Sequence, residues 1–282
     1  MENNRIEVLM LKLRRLVIIL ATLAIAFTVS VTTLVASADE LGVEGMREYL
    51  MDLQLPESYV DDLSDDEIIG LYNEFSQKTV TFVGRKEESF SFESETKTRG
   101  VISPDDLRFV MNFSVFYVGG EQDSFQPIDC VYIIIGYNWL NIPYPRGTDA
   151  AIIYWDPDVF TYEAGSFRAT SRCWEGTSGQ TYEYENPTLI MQDSLGYEVK
   201  LNGVSSPTTL SGNCVLNLIP KRNPTYRKHD YITSVSVQYR HTYEKPNASV
   251  QLGMDGASVT FATSEHTDTV ATSFNLWYGY SW

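Results

Sequence analysis

Between residues 45 and 75 apolar side chains recur at helical spacing. Met46, Tyr49, Leu50 and Leu53 fall at i, i+3, i+4 and i+7, the stripe of an amphipathic helix, and Pro56 stops the run. A second helix is predicted directly after it. Ser64-Asp65-Asp66-Glu67 has the form of a capping box, in which Ser64 accepts from a first-turn N–H and Glu67 reaches back. The two aspartates suit the positive end of the helix dipole, and Ile68, Leu71, Tyr72 and Phe75 make one apolar face. A helical hairpin of about thirty residues buries too little to stand alone, so the pattern predicts that it docks at one edge of the remaining chain.

After Ser76 the period changes to two. Residues 79–83 and 89–93 alternate, with Lys78, Arg85, Lys86, Glu87 and Glu88 among the solvated positions of a hairpin or edge pair. Residues 107–118 read as one long strand. Residues 130–137 (CVYIIIGY) are apolar on both faces, the pattern of a central strand covered from both sides. Short strands are predicted at 150–155, 167–174, 180–184, 197–201 and 214–219, separated by turn signals such as Asn202-Gly203. Toward the C-terminus Thr233, Val235, Val237, Tyr239, His241 and Tyr243 share one face, and Val270, Thr272, Phe274, Leu276, Tyr278 and Tyr280 share another. About a dozen such segments predict a mainly β fold, an antiparallel β-sandwich or open barrel. The domain reading is a signal peptide over 1–38, a helical segment over 39–77 and a β-sandwich domain over 78–282.

The leader is read from the order of its parts. Arg5, Lys12, Arg14 and Arg15 precede an apolar run over 16–35, and Ala36-Ser37-Ala38 supplies the small residues of a cleavage site before Asp39. The alternative is an uncleaved anchor, since about twenty helical residues span roughly 30 Å. Thr22, Thr28, Ser30, Thr32 and Thr33 weaken that run. Cleavage between Ala38 and Asp39 is the expectation, with a secreted or extracellular product.

Charge then narrows the partners. The chain has 282 residues and a formal net charge of −16, and cutting before Asp39 would leave 244 residues at −18. Such a balance repels nucleic acid and anionic membranes. The mature chain is therefore expected to be soluble, meeting a membrane only through an uncleaved leader. Cys130, Cys173 and Cys214 are too few for a disulfide scaffold, and their spacing leaves open either one bridge or three buried thiols.

Three constellations carry candidate chemistry. Tyr137, Trp139, Tyr144, Tyr154 and Trp155 gather around Pro143 and Pro145, and Trp174 could extend them. Sugar rings stack on such aromatics, so Trp139, Tyr144, Trp155 and Trp174 are the candidate ligand contacts, against the alternative that they pack in the core. Asp156, Asp158 and Glu163 are a weak calcium or glycosidase candidate, with a turn as the competing reading. Residues 247–264 alternate apolar with Ser/Thr-rich positions, as membrane-inserting hairpins do, although arms of about eight residues fall short of the 9–11 that span a bilayer. His241, between two tyrosines, reads as a hydrogen-bonded core imidazole. No nucleophile, metal or dinucleotide motif is present, and no cofactor is expected. The sequence reading is a secreted or cell-surface-associated, non-enzymatic β protein that binds an extracellular ligand such as glycan or cell envelope. A pore-forming protein and an extracellular hydrolase with a carboxylate site are the alternatives.

Overall fold

A computed structural model describes residues 41–91, 108–119, 128–143, 147–221, 224–225, 231–242, 251–253, 256–258 and 267–280. The chain divides into two compact units, one ending at Tyr49 and the other running from Leu50 to Trp282. Helix α1 (Val43–Asp52) begins in the first. The second contains α2 (Glu57–Val60), α3 (Asp65–Ser76) and all the strands. The capping box of α3 forms as its sequence dictates: Ser64 Oγ accepts from the Glu67 N–H, and the Ser64 N–H donates to Glu67 Oε2 at 2.8 Å.

Two antiparallel sheets face each other. The first runs β1 (Val80–Ser91), β2 (Arg108–Val118), β3 (Cys130–Trp139), β10 (Thr209–Pro220), β6 (Arg168–Glu175), β7 (Ser178–Tyr184), with β5 (Phe160–Tyr162) also paired to β10. The second runs β11 (Pro224–Thr225), β15 (Thr267–Tyr280), β12 (Tyr231–Thr242), β4 (Thr148–Trp155), β9 (Ser194–Lys200), β8 (Leu189–Ile190). Among the described residues neither sheet closes on itself, and the two together make the predicted mainly antiparallel, sandwich-like β fold. The core lies between them: Phe109, Phe113, Ile133 and Ile135 of the first sheet meet Ile153, Leu195, Val235 and Val237 of the second, all fully or nearly fully buried.

The double-sided hydrophobicity of β3 has the predicted cause. Val131, Ile133 and Ile135 point into the sandwich, while Tyr132 and Ile134 lie on the outer face, also buried. There α2 and α3 cover the sheet. The Tyr59 and Tyr132 hydroxyls are 2.7 Å apart, and the Phe75 ring meets Tyr132 edge-on at 5.2 Å. One element differs from its prediction. The alternation predicts two short strands at 79–83 and 89–93, yet 80–91 form a single edge strand. Its register shifts between Phe82 and Gly84, and such a bulge flips the alternation midway, so one strand reads as two. Gly84 also admits the Phe274 ring, which would stand 3.0 Å from a Cβ at that position.

β12 pairs with β15 down to Thr242↔Thr267. Nine residues further along one arm and nine back along the other lies Gln251↔Ser258, the first pair of the small sheet formed by β13 (Gln251–Gly253) and β14 (Gly256–Ser258).

Candidate functional site

β10 alternates across the first sheet. Cys214, Leu216 and Leu218 are buried in the sandwich core, which turns Asn213, Val215 and Asn217 outward, toward α2 and α3. The two asparagines are 8% and 9% exposed, at positions where a β-branched apolar residue is the ordinary packing choice. Both amides hold carboxylates. Asn213 Nδ2 donates to Asp62 Oδ2 at 2.7 Å, and Asn217 Nδ2 donates to Glu163 Oε2 at 2.8 Å. Asn217 Oδ1 is buried and accepts from no donor among the described residues, a cost of about 1–3 kcal/mol for a buried acceptor. Above this floor the helices leave a cleft of about 380 Å³, walled by Leu63 and Leu71 on the helical side and by Thr170 and Glu183 on the strand side. That volume falls within the roughly 300–1,000 Å³ of small-molecule sites.

Acceptors dominate its chemistry. Asp62, Glu67, Glu74, Glu183 and Glu185 line the cleft against one lining cation, Arg168, and that guanidinium is already held by the Phe167 carbonyl at 2.7 Å. Asp62 pairs with Arg172 as well as with Asn213. Burial nevertheless raises the Asp62 carboxyl above its ordinary range, with Arg172 and Asn213 pulling the other way. A carboxyl raised on folding contributes stability below its unfolded pKa and withdraws it as pH rises through the folded value. Such a cleft accepts hydrogen bonds from hydroxyl or N–H donors and repels anions.

The residues singled out from sequence fall elsewhere. Trp139 and Trp155 are 2% and 4% exposed; their indole N–H groups donate to the Tyr239 hydroxyl at 3.4 Å and the Gln192 carbonyl at 3.1 Å. Stacking needs an open ring face, so the expected platform is corrected to core packing at both positions. Tyr144 lies outside the described residues, as do Ala38 and Asp39 of the expected cleavage site. Trp174 is half-buried on the outward side of β6, its indole N–H donating to Thr181 Oγ1 at 3.3 Å. Of the three described aromatics it is the one on the same sheet face as the cleft. Asp156 Oδ1 accepts from the Asp158 N–H at 2.9 Å, and the Asp156 carbonyl accepts from the N–H groups of Val159 and Phe160. That is the turn chemistry of Asp-Pro-Asp. Among the described residues no three of His, Cys, Asp or Glu gather at metal-binding distance, so the calcium grouping of Asp156, Asp158 and Glu163 is not assembled. Glu163 alone joins the cleft, through Asn217.

Two other groups are interior. Cys130, Cys173 and Cys214 are all free and buried, and burial pushes the Cys130 thiol up to about 12, the opposite of an activated nucleophile. His241 is fully buried, its Nδ1 2.9 Å from Asp149 Oδ2, and the Tyr239 hydroxyl donates to the same oxygen at 2.7 Å.

No family model matches the chain, and no curated protein matches it. Similar solved structures include one described as a pore forming protein, 7% identical over 70% of this chain and 96% of that chain, with a TM-score of 0.28. Another is a carbohydrate-binding module described for specific mannan recognition, 10% identical over 50% of this chain and 96% of that chain, with a TM-score of 0.21. At these scores neither likeness decides between functions.

Proposed function

We propose that the protein is a secreted or cell-surface-associated, non-enzymatic binding protein whose ligand is an uncharged glycan held in the cleft over Asn213 and Asn217. The observation that carries this reading is the pair of buried amides that stand beside Tyr132, Ile134 and Val215 on the outer sheet face. They fix two carboxylates and leave an unserved acceptor, an arrangement that stabilises the fold less than aliphatic packing would. Hydroxyls donate to such acceptors without bringing charge, and the carboxylate lining disfavours sulfated or uronic chains. Calorimetric titration with neutral oligosaccharides tests it. The wild-type protein is expected to bind, and Asn217→Leu to weaken binding at least tenfold, about 1.4 kcal/mol, with no fall in melting temperature. Undiminished binding by that variant would place the ligand elsewhere.

A second reading, a membrane-active hairpin, draws on the equal spacing of Gln251↔Ser258 from Thr242↔Thr267 on the two arms and on the alternating sequence of 247–264. Dye release from liposomes of neutral and anionic composition tests it: leakage at any composition supports the hairpin, and none between pH 5 and 8 ends that reading.

A further inference from the structure

The cleft has a neighbour in register with it. Glu87 of β1 pairs with Asn112 of β2, Asn112 with Gly136 of β3, and Gly136 with Asn213 of β10. Directly opposed residues of antiparallel strands lie on one face. The row continues through Thr170 of β6, whose hydroxyl accepts the Asn213 N–H at 3.3 Å, to its partner Glu183 on β7. Every position is polar or glycine, and at about 4.8 Å between strands the row crosses about 24 Å.

Two cavities lie along this row. The cleft occupies the end at β10, β6 and β7; a second cavity of about 230 Å³ occupies the end at β1, β2 and β3, lined by Glu87, Asn112, Gly136 and Asn213 beside Ser58 and Arg85. Asn213 lines both. Gly136 keeps the second cavity open, because a Cβ there would meet Asn213 Oδ1 at 3.0 Å. Asp62, held by Asn213 and Arg172, lines the cleft.

We infer that these cavities are adjoining subsites of one extended site, and that the ligand is an oligomer of hydroxylated units rather than a single sugar. The inference rests on the glycan reading above and adds chain length to it. A lone monosaccharide would fill one cavity and leave the acceptors of the other to water, whereas a linked second unit enters at the effective concentration set by its linkage.

The test is a titration of the full chain with neutral hexose oligosaccharides of one to six units. Affinity is expected to rise at least tenfold between one unit and the first length that reaches both cavities. Asn112→Ala, and independently Gly136→Ala, which narrows the second cavity, should abolish that rise, and Asn112→Ala should leave monosaccharide binding and the melting temperature unchanged. Asn217→Leu should weaken every length. Equal affinity at all lengths, or long-chain binding unaltered by both second-cavity variants, overturns the inference while the glycan reading stands. Absence of binding at every length overturns the glycan reading itself.

Discussion

Replacing Asp149 by Ala is expected to cost several kcal/mol of folding stability, about 1–3 kcal/mol for each buried donor that loses its acceptor. The carboxylate is fully buried and serves two donors on β12, the Tyr239 hydroxyl at 2.7 Å and His241 Nδ1 at 2.9–3.0 Å. Burial and the neighbouring charge of Asp149 push the Tyr239 hydroxyl far above its ordinary range, so it remains a donor. Tyr239 also accepts from the Trp139 indole of the opposite sheet at 3.4 Å. Removing the acceptor therefore strands groups that join both layers, and against a typical total of about 5–15 kcal/mol the loss is a large fraction. Urea denaturation measures it. A loss below about 1 kcal/mol would mean that the network contributes little to holding the sheets.

Phe109→Ala is expected to cost a similar amount, about 3–5 kcal/mol, through a cavity instead of stranded polar groups. Phe109 is fully buried, and its ring lies 4.4 Å from Tyr239, 5.0 Å from Trp139, 6.0 Å from Tyr137 and 6.4 Å from Phe90. Four rings cannot collapse into the void without leaving their own rotamers. The same denaturation experiment separates the two mechanisms, because Phe109→Leu should recover part of the loss, whereas Asp149→Leu leaves the hydroxyl and imidazole unserved and should recover little.

The alternation from Thr233 to His241 set the inward face of β12 correctly, and the two-sided apolar run at 130–137 identified a central strand, because burial imposes both patterns directly on the residue order. The aromatics misled for the same reason. Periodicity says that Trp139 shares a face with Ile133 and Ile135, but not that the second sheet covers it. The cleft was hidden more deeply. Asn213 meets Asp62 across 151 positions and Asn217 meets Glu163 across 54, so the local trace was two asparagines four apart, flanking the apolar run Cys214-Val215-Leu216.

The central claim is that the outer face of the first sheet, over Asn213 and Asn217, is where ligand binds. Amide and indole chemical shifts of isotopically labelled protein, followed while a neutral oligosaccharide is added, test it most directly. Saturable shifts are expected at Asp62, Thr170, Glu183, Asn213 and Asn217, with the indoles of Trp139 and Trp155 unmoved. Shifts centred on those two indoles or on the second sheet, with the cleft residues unmoved, would contradict it.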